Sequence, residues 1–300
     1  MDHAVTLPHG LKPLALAAAD IDDVILLVNA CEIHDVGYPM WERDDLTSDF
    51  RLPGVDIEVD TIGIREDGRL IGWAFLPNDR STWVDVHPEA RARGIGTWLR
   101  AWTERRARER GATRVGQTIN DRAMGAVRLL SDARYTRRRT SWILRIDHPE
   151  RPADPALPDG VTLRAYSEGD AEAALEMFEA AFAEWPERSP STFEAWRVMT
   201  IEREGFAPED LMLAEDGGEI VGGAFIIDSN EIWVDKLAVR RDQRHRGIAR
   251  ALLQVAFQRG YDRGYASSSL STDSNTGALT LYERVGMTIR ETYTHLAIDL

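Results

Sequence analysis

At 300 residues the chain is long enough for about two domains, and its apolar fraction of 43% is that of proteins with buried cores. A net charge of −14 excludes general nucleic-acid binding, which relies on basic surface, and suits encounter with a cationic partner. No apolar run reaches the ~18 residues of a membrane span, and the first residues lack the basic stretch and long apolar core of a secretory signal, so the expectation is a cytoplasmic protein that does not engage the membrane.

Near the start, the apolar stretch Ala15–Ala19 is ended by Asp20 and Asp22. Cys31, the only cysteine, excludes an internal disulfide and a thiolate metal cluster. It lies in the apolar helical stretch Ile25–Ile33 and reads as a small buried hydrophobe. Further on, Gly68-Arg69-Leu70-Ile71-Gly72-Trp73-Ala74-Phe75 returns as Gly218-Glu219-Ile220-Val221-Gly222-Gly223-Ala224-Phe225. Arg91-Ala92-Arg93-Gly94-Ile95-Gly96 returns as Arg244-His245-Arg246-Gly247-Ile248-Ala249. Gly125-Ala126-Val127-Arg128-Leu129-Leu130 returns as Gly277-Ala278-Leu279-Thr280-Leu281-Tyr282. The order is kept and the offset is nearly constant, which means a duplicated domain, since solenoid repeats run about 20–50 residues. The first copy spans residues 1–148, a proline-rich linker 149–160, and the second copy 161–300.

In the second copy Val161–Ala165 alternates as a strand, and Asp170 caps a helix running to about Ala183. A second helix falls near Thr192–Arg203. Leu211–Glu215 and Glu219–Asp228 form a hairpin across Asp216-Gly217-Gly218. Glu231–Val239 is a strand, Gly247–Gly260 an amphipathic helix, Ala266–Ser271 a strand and Thr276–Arg284 a helix. Met287–Leu300 supplies terminal strands. The fold class is α/β, with each copy a mixed, mostly antiparallel sheet flanked by helices.

The chemistry concentrates between the strand ending at Val239 and the helix opening at Gly247. A glycine-bearing helix start after a strand aims several backbone N–H groups at one point and makes an anion site. Gly247 permits close approach of a ligand, and the small Ala249 leaves room for a pyrophosphate. Arginine clusters elsewhere (Arg105, Arg106, Arg108 and Arg110; Arg137–Arg139) read as solvated faces. The seven histidines, His3, His9, His34, His87, His148, His245 and His295, show no metal spacing, and the expectation is that no metal is bound.

Both copies resemble the GNAT superfamily of acyl-CoA-dependent N-acyltransferases. The second carries its R/Q-x-x-G-x-G/A loop at Arg244, Gly247 and Ala249, and Asn275, Ala278, Tyr282 and Gly286-Met287 resemble its N-x-x-A-x-x-x-Y-x-x-x-G-F pattern. The resemblance implies acetyl-CoA as the cofactor. The backbone of Leu237, Ala238 and Val239 then pairs with pantetheine, and Arg244, His245, Arg246, Gly247, Ile248, Ala249 and Arg250 hold the pyrophosphate. Asn275, Ala278 and Tyr282 line the thioester end, with Tyr282 donating to the departing thiolate. The position at which many members carry a glutamate base is Trp233, and Glu231 and Asp235, two residues to either side, are the candidate bases. Phe182, Trp185, Trp196, Trp233 and Tyr293 are candidate walls of the acceptor pocket. The first copy keeps the loop at Arg91, Gly94 and Gly96 but has Leu130 at the tyrosine position, which implies a CoA-binding half without ordinary chemistry. The expected activity is N-acetyl transfer to a primary amine of a small molecule by direct attack in a ternary complex, in a monomer or homodimer. Acetylation of a cysteinyl amine and a non-catalytic CoA sensor or scaffold are the alternatives.

Overall fold

A computed structural model of the protein describes residues 6–78, 80–185 and 189–300; His3 lies outside them. The chain divides into two compact units, Met1–Thr140 with Tyr293–Leu300, and Ser141–Thr292.

The first unit runs β1 (Lys12–Leu14), α1 (Ile21–Asp35), α2 (Arg43–Phe50), α3 (Ile57–Asp60), β2 (Thr61–Glu66), β3 (Arg69–Phe75), β4 (Ser81–Val86), α4 (Ile95–Glu109), β5 (Arg114–Asn120) and α5 (Met124–Asp132). Strand β6 (Thr136–Asp147) passes from it into the second unit. The second unit continues with β7 (Val161–Ala165), α6 (Ala171–Phe182), α7 (Phe193–Met199), β8 (Leu211–Asp216), β9 (Glu219–Asp228), β10 (Ile232–Val239), α8 (Ile248–Asp262), β11 (Ser267–Asp273) and α9 (Leu279–Arg284). The last strand, β12 (Thr288–Asp299), returns the chain to the first unit.

Within each unit the strands pair antiparallel except at one place. In the first, β1 to β4 pair in sequence order and β4 runs parallel to β5. In the second, β7 to β10 do the same and β10 runs parallel to β11. The β8–β9 hairpin turns on Gly217 and Gly218, at φ of +60° and +86°, which a two-residue turn matched to the strand twist requires.

The compact units differ from the expected boundaries at both ends of the second copy. Ser141–Asp147 pairs antiparallel with β11 in the second unit, and Tyr293–Asp299 pairs antiparallel with β5 in the first. Alternation selects these places. Leu144, with Trp142 and Ile146, packs into the cluster of Ile232, Val234, Leu253 and Phe257. Leu296 packs with Leu130 and Tyr135. The proline-rich segment after His148 has no helix or strand, yet it is fastened to α8. The Gln258 amide donates to Pro152 O (3.0 Å) and Asp154 Oδ1 (2.9 Å), and Arg151 pairs with Asp262 at 2.9 Å.

The helices cover opposite faces of each sheet. In the second unit α6 and α7 bury Met177, Phe178, Phe182 and Trp196 against Leu211, Leu213, Phe225 and Ala238. On the other face α8 and α9 bury Leu253, Phe257 and Tyr282 against Ile226, Ile232 and Val234. This leaves the carboxyl ends of β10 and β11 between two helical layers.

Candidate active site

Two features of the backbone define the site. The first is a fork. Strands β10 and β11 are paired only from Ile232–Val234 to Ser268–Leu270, while β10 continues to Val239 and β11 to Asp273. The edge of β10 beyond Val234 that faces β11 therefore has no ladder partner there, although its other edge stays paired with β9 as far as Val239. Unpaired strand edge is a template for an extended amide-bearing ligand. The register of β10 against β9 also shifts between Val234 and Lys236, a bulge centred on Asp235. Its effect is visible in the packing: Val234 and Leu237, three residues apart, both face α8 and α9. Ala238 faces α6.

The second feature is the loop from Val239 to α8. His245 and Gly247 take positive φ, +64° and +93°. Gly247 is the N-cap of α8, and a Cβ built on it meets nothing within 4 Å. Ala251 N–H is the first to enter the helical ladder, bonding Gly247 O at 3.0 Å. The N–H groups of Ile248, Ala249 and Arg250 precede any helical acceptor and form the positive end of the helix. That is a site for a phosphate made of backbone.

The arginines of the loop have other tasks. Arg244 donates through Nε to Val239 O (3.2 Å), and through its terminal nitrogens to Glu184 (2.7 Å) and Ala181 O (3.2 Å). Arg246 pairs with Asp216 at 2.6 Å and reaches Asp159 O at 3.1 Å. These two side chains, expected at the pyrophosphate, fasten the loop to the end of α6 and to the β8–β9 hairpin. Arg250 lines, with Gln254, Phe257 and Arg284, a cavity of about 280 Å³.

Tyr282 lies on α9, 7% exposed, among Val234, Leu253 and Phe257. Burial pushes its phenol up to about 12, so it is protonated at neutral pH. Asn275 and Ala278 lead into the same helix: the Asn275 backbone N–H donates to Asp273 Oδ1 at 2.8 Å, and Ala278 is the N-cap of α9.

The two candidate bases stand in different surroundings. Glu231 accepts from Ser267 Oγ (2.7 Å) and pairs with Arg290 (2.8 Å), its side chain 20% exposed. Asp235, at the bulge, is exposed and pairs with Lys236, whose ammonium lies over the Phe225 ring. Simple alternation would set both carboxylates on one face, but the bulge interrupts the alternation at Asp235 itself.

Of the candidate wall residues, Trp233 is half-buried on β10 opposite Ser269. Phe182 and Trp196 belong to the core, and Trp185 is exposed and stacks on Phe182 at 4.4 Å. Tyr293 is placed elsewhere. It pairs with Asn120 on β5 in the first unit, and its hydroxyl donates to Met40 Sδ at 3.4 Å, because β12 leaves the second unit before it. Sequence reasoning missed Glu184, Ser267, Arg290 and the bulge. No local pattern marks them: Arg290 meets Glu231 across 59 residues of chain.

The first unit repeats the geometry. Strands β4 and β5 pair only at Ser81–Thr82 with Gly116–Gln117 before they part. Ala92 and Gly94 take φ of +60° and +86°. Arg91 donates to Val86 O (3.1 Å) and forks onto Asp35 (2.6 and 2.8 Å), while Arg93 forks onto Glu66 (2.9 and 2.6 Å). Gly96 is the counterpart of Ala249. Leu130 is 1% exposed, in an apolar cluster with Tyr135 and Leu296.

Comparison with known proteins agrees with this duplication. The model of the acetyltransferase (GNAT) family matches residues 28–131 and 171–287. A mycothiol acetyltransferase of Thermomonospora curvata is 31% identical over 291 residues, covering 91% of this chain and 92% of that protein. The crystal structure of a GCN5-related N-acetyltransferase from Sphaerobacter thermophilus is 32% identical, with a TM-score of 0.81 over 98% of this chain and 97% of that one. A tandem GNAT protein from the clavulanic acid biosynthesis pathway, 16% identical with a TM-score of 0.75 over 96% of this chain and 98% of that one, shares the fold.

Proposed function

This chain belongs to the acetyltransferase (GNAT) family, and from that premise we propose that its second unit transfers an acetyl group from acetyl-CoA to a primary amine of a small molecule. The family makes it an N-acetyltransferase that uses acyl-CoA; the acetyl donor, the acceptor and the assignment to one unit are the proposal. The observation that carries it is the conjunction, in the second unit alone, of the fork and the glycine-capped helix with a buried phenol at the tyrosine position.

The backbone fits such a donor. The N–H groups at the start of α8 suit the pyrophosphate, and the free edge of β10 through Leu237–Val239 suits the pantetheine amides. When bound, acetyl-CoA supplies an activated thioester. The residues do the rest. Glu231, fixed by Ser267 and Arg290, is the carboxylate that takes the amine proton through water, and Asp235 is the second candidate. An alkyl ammonium has a pKa near ~10, so a proton must leave before attack. Tyr282 stays protonated and directs its O–H to the departing sulfur. A thiol of pKa ~8.5 is a stronger acid than a phenol near 12, so the hydrogen bond to the developing charge matters more than full transfer of the proton. The thiol inventory supports direct attack in a ternary complex over a cysteine-borne acyl intermediate: Cys31, the only cysteine, belongs to the first unit.

The near full-length match to mycothiol acetyltransferases favours a second, narrower reading, in which the acceptor is a cysteinyl amine. We place the enzyme in the cytoplasm; among the described residues no helix is long and apolar enough to cross a membrane. An assay of CoA release with acetyl-CoA and a panel of primary amines, cysteinyl amines included, tests the proposal. Release with at least one amine, lost in Tyr282→Phe, is expected. Full activity in Tyr282→Phe makes Tyr282 a packing residue and removes the observation that carries the assignment to the second unit.

A further inference from the structure

The serines of β11 fall into two sets. Ser267–Asp273 pairs one to one with β6, with no break in register, so its side chains alternate strictly between the two faces. Ser268 and Leu270 face α8. The Ser268 hydroxyl meets His148 Nε2 at 2.8 Å, and a Cβ on Gly260 of α8 would come within 2.9 Å of it. Leu270 packs with Leu253 and Phe257. Ser267, Ser269 and Ser271 therefore share the opposite face. Trp233 of β10 stands beside Ser269 there, and Glu231 beside Ser267.

This row leads from the carboxylate to the fork. Ser267 is buried and donates to Glu231 at 2.7 Å. Ser269 is 0% exposed, and its hydroxyl has no hydrogen-bond partner within the chain. Ser271 lies one residue past Leu270, where β11 parts from β10, and is exposed. A buried hydroxyl left without a partner is costly, and an ordered water is what usually serves it. Residues two apart on a strand are ~6.6 Å apart, too far for one hydroxyl to bond the next and close to what one bridging water spans. The row also answers a difficulty in the position of the base. Trp233 is the last side chain on this face of β10 before the strands part, and Glu231 lies one step of ~6.6 Å further back. An amine attacking a thioester in the fork is out of its direct reach.

We propose that Ser271, Ser269 and Ser267 form a hydrogen-bonded row, closed by ordered waters, that carries the proton of the attacking ammonium from the fork to Glu231. Each oxygen accepts a proton from the fork side and passes its own on. The net transfer is one proton from nitrogen to the Glu231 carboxylate, and the nitrogen keeps the electron pair that attacks the thioester carbon. After attack the nitrogen sheds a second proton, which balances the departing thiolate, and Glu231 returns its proton to solvent. The serines are positioning residues: they hold the path, and Glu231 is the base. The charged groups around the row are matched. Arg145, opposite Ser269 on β6, pairs with Asp147 at 2.8 Å, Arg290 of β12 pairs with Glu231 at 2.8 Å, and Lys236 pairs with Asp235. This inference rests on the proposed chemistry of the second unit with Glu231 as its base.

Two measurements test it. A crystal structure of the wild-type full chain is expected to show an ordered water at hydrogen-bond distance, ~2.8 Å, from Ser269 Oγ; a dry Ser269 overturns the row whatever the activity. Kinetics test the path, using acetyl-CoA with the panel amine that releases CoA fastest, from about pH 6 to about one unit above that amine's own pKa. Ser269→Ala should lower kcat/KM about 10- to 100-fold at the acid end, a part of what a general base contributes, with KM for acetyl-CoA unchanged. The deficit should close as the amine becomes neutral by itself. Ser268→Ala removes a hydroxyl on the opposite face and should show no deficit that varies with pH. A Ser269→Ala deficit that is absent, or equal at every pH, overturns the row. So does full activity in Glu231→Gln, which leaves acetyl transfer standing with Asp235 as the base. Release of CoA with no amine at all refutes the function of the second unit, and the row falls with it.

Discussion

The two phosphate loops are built alike down to the hydrogen bonds, and the two forks they serve are not. In both units an arginine ties the loop to the last carbonyl of the central strand and to an acid at the end of the first long helix. In both, a second arginine ties it to the acid at a hairpin turn. In both, a left-handed residue and a left-handed glycine turn the chain into the helix. Beyond the loop the copies diverge. The second unit has a bulged central strand and a buried phenol. The first has an unbulged strand, a leucine in the phenol's place and two carboxylates where its counterpart is apolar. Anion binding by helix N–H groups needs only backbone, which places little constraint on side chains; chemistry needs particular atoms at particular points, and under the proposed function that is where the copies differ.

The largest effect that sharpens this contrast is expected from the two glycines. Gly247→Glu puts a side chain and a negative charge into the open space before α8 and strains a φ of +93°; turnover should fall more than ~100-fold through loss of charge stabilisation at the donor site. Gly94→Glu should leave most turnover intact. Steady-state kinetics of both variants decides, and the reverse pattern would put the chemistry in the first unit.

Next is Tyr282→Phe. A proton donor in the transition state typically contributes ~10²–10⁴-fold, so kcat should drop by that order while affinity for CoA, measured by calorimetry, changes little. If affinity falls and kcat does not, Tyr282 is a packing residue and the units differ less than proposed.

A third experiment concerns the exchanged strands. Leu296 is 5% exposed in the cluster with Leu130 and Tyr135, so Leu296→Ala should cost about 2–5 kcal/mol. Hydrogen exchange should quicken in β5 of the first unit and stay unchanged in β11 of the second. Loss of protection in β11 instead would contradict the placement of the last strand.

The smallest effect is a pH dependence confined to the first unit. Glu32 ionises near 7 in the folded chain against 4.5 for the free group, and Asp85 near 6 against 3.8. The folded state therefore holds more protons than the unfolded one in between. The stability these groups contribute is complete below about 4 and lost as pH rises to about 7. Both keep some solvent contact, so the loss between pH 5 and 8 should be about 1–2 kcal/mol. Thermal unfolding of wild type against Glu32→Gln should show a drop with pH that the variant lacks.

Much of this was legible in the chain. The repeated glycine-loop motif, the Asp-Gly-Gly turn and the apolar alternation placed β7 to β11 and α8 within a few residues, because turn chemistry and side-chain period act locally. The second unit's short helices were harder. α7 ends at Met199 and α9 begins only at Leu279, where packing rather than propensity sets the ends. The candidate acceptor walls show a similar limit: aromatic residues announce burial, but not which surface they are buried against, and Phe182 and Trp196 pack in the core.

The sequence by itself determined the duplication, the family, the glycine loops before α4 and α8 and the single tyrosine, since each is written in contiguous residues whose chemistry depends on near neighbours. Tertiary structure alone decided that the final strand leaves the second unit at Tyr293, that Arg244 and Arg246 brace the loop through Glu184 and Asp216, and that Glu231 answers to Arg290. Those outcomes depend on pairing across tens of residues, where a strand goes to the edge that buries its apolar face and a guanidinium to the carboxylate that the fold sets beside it. Neither choice leaves a mark in the local pattern of the chain.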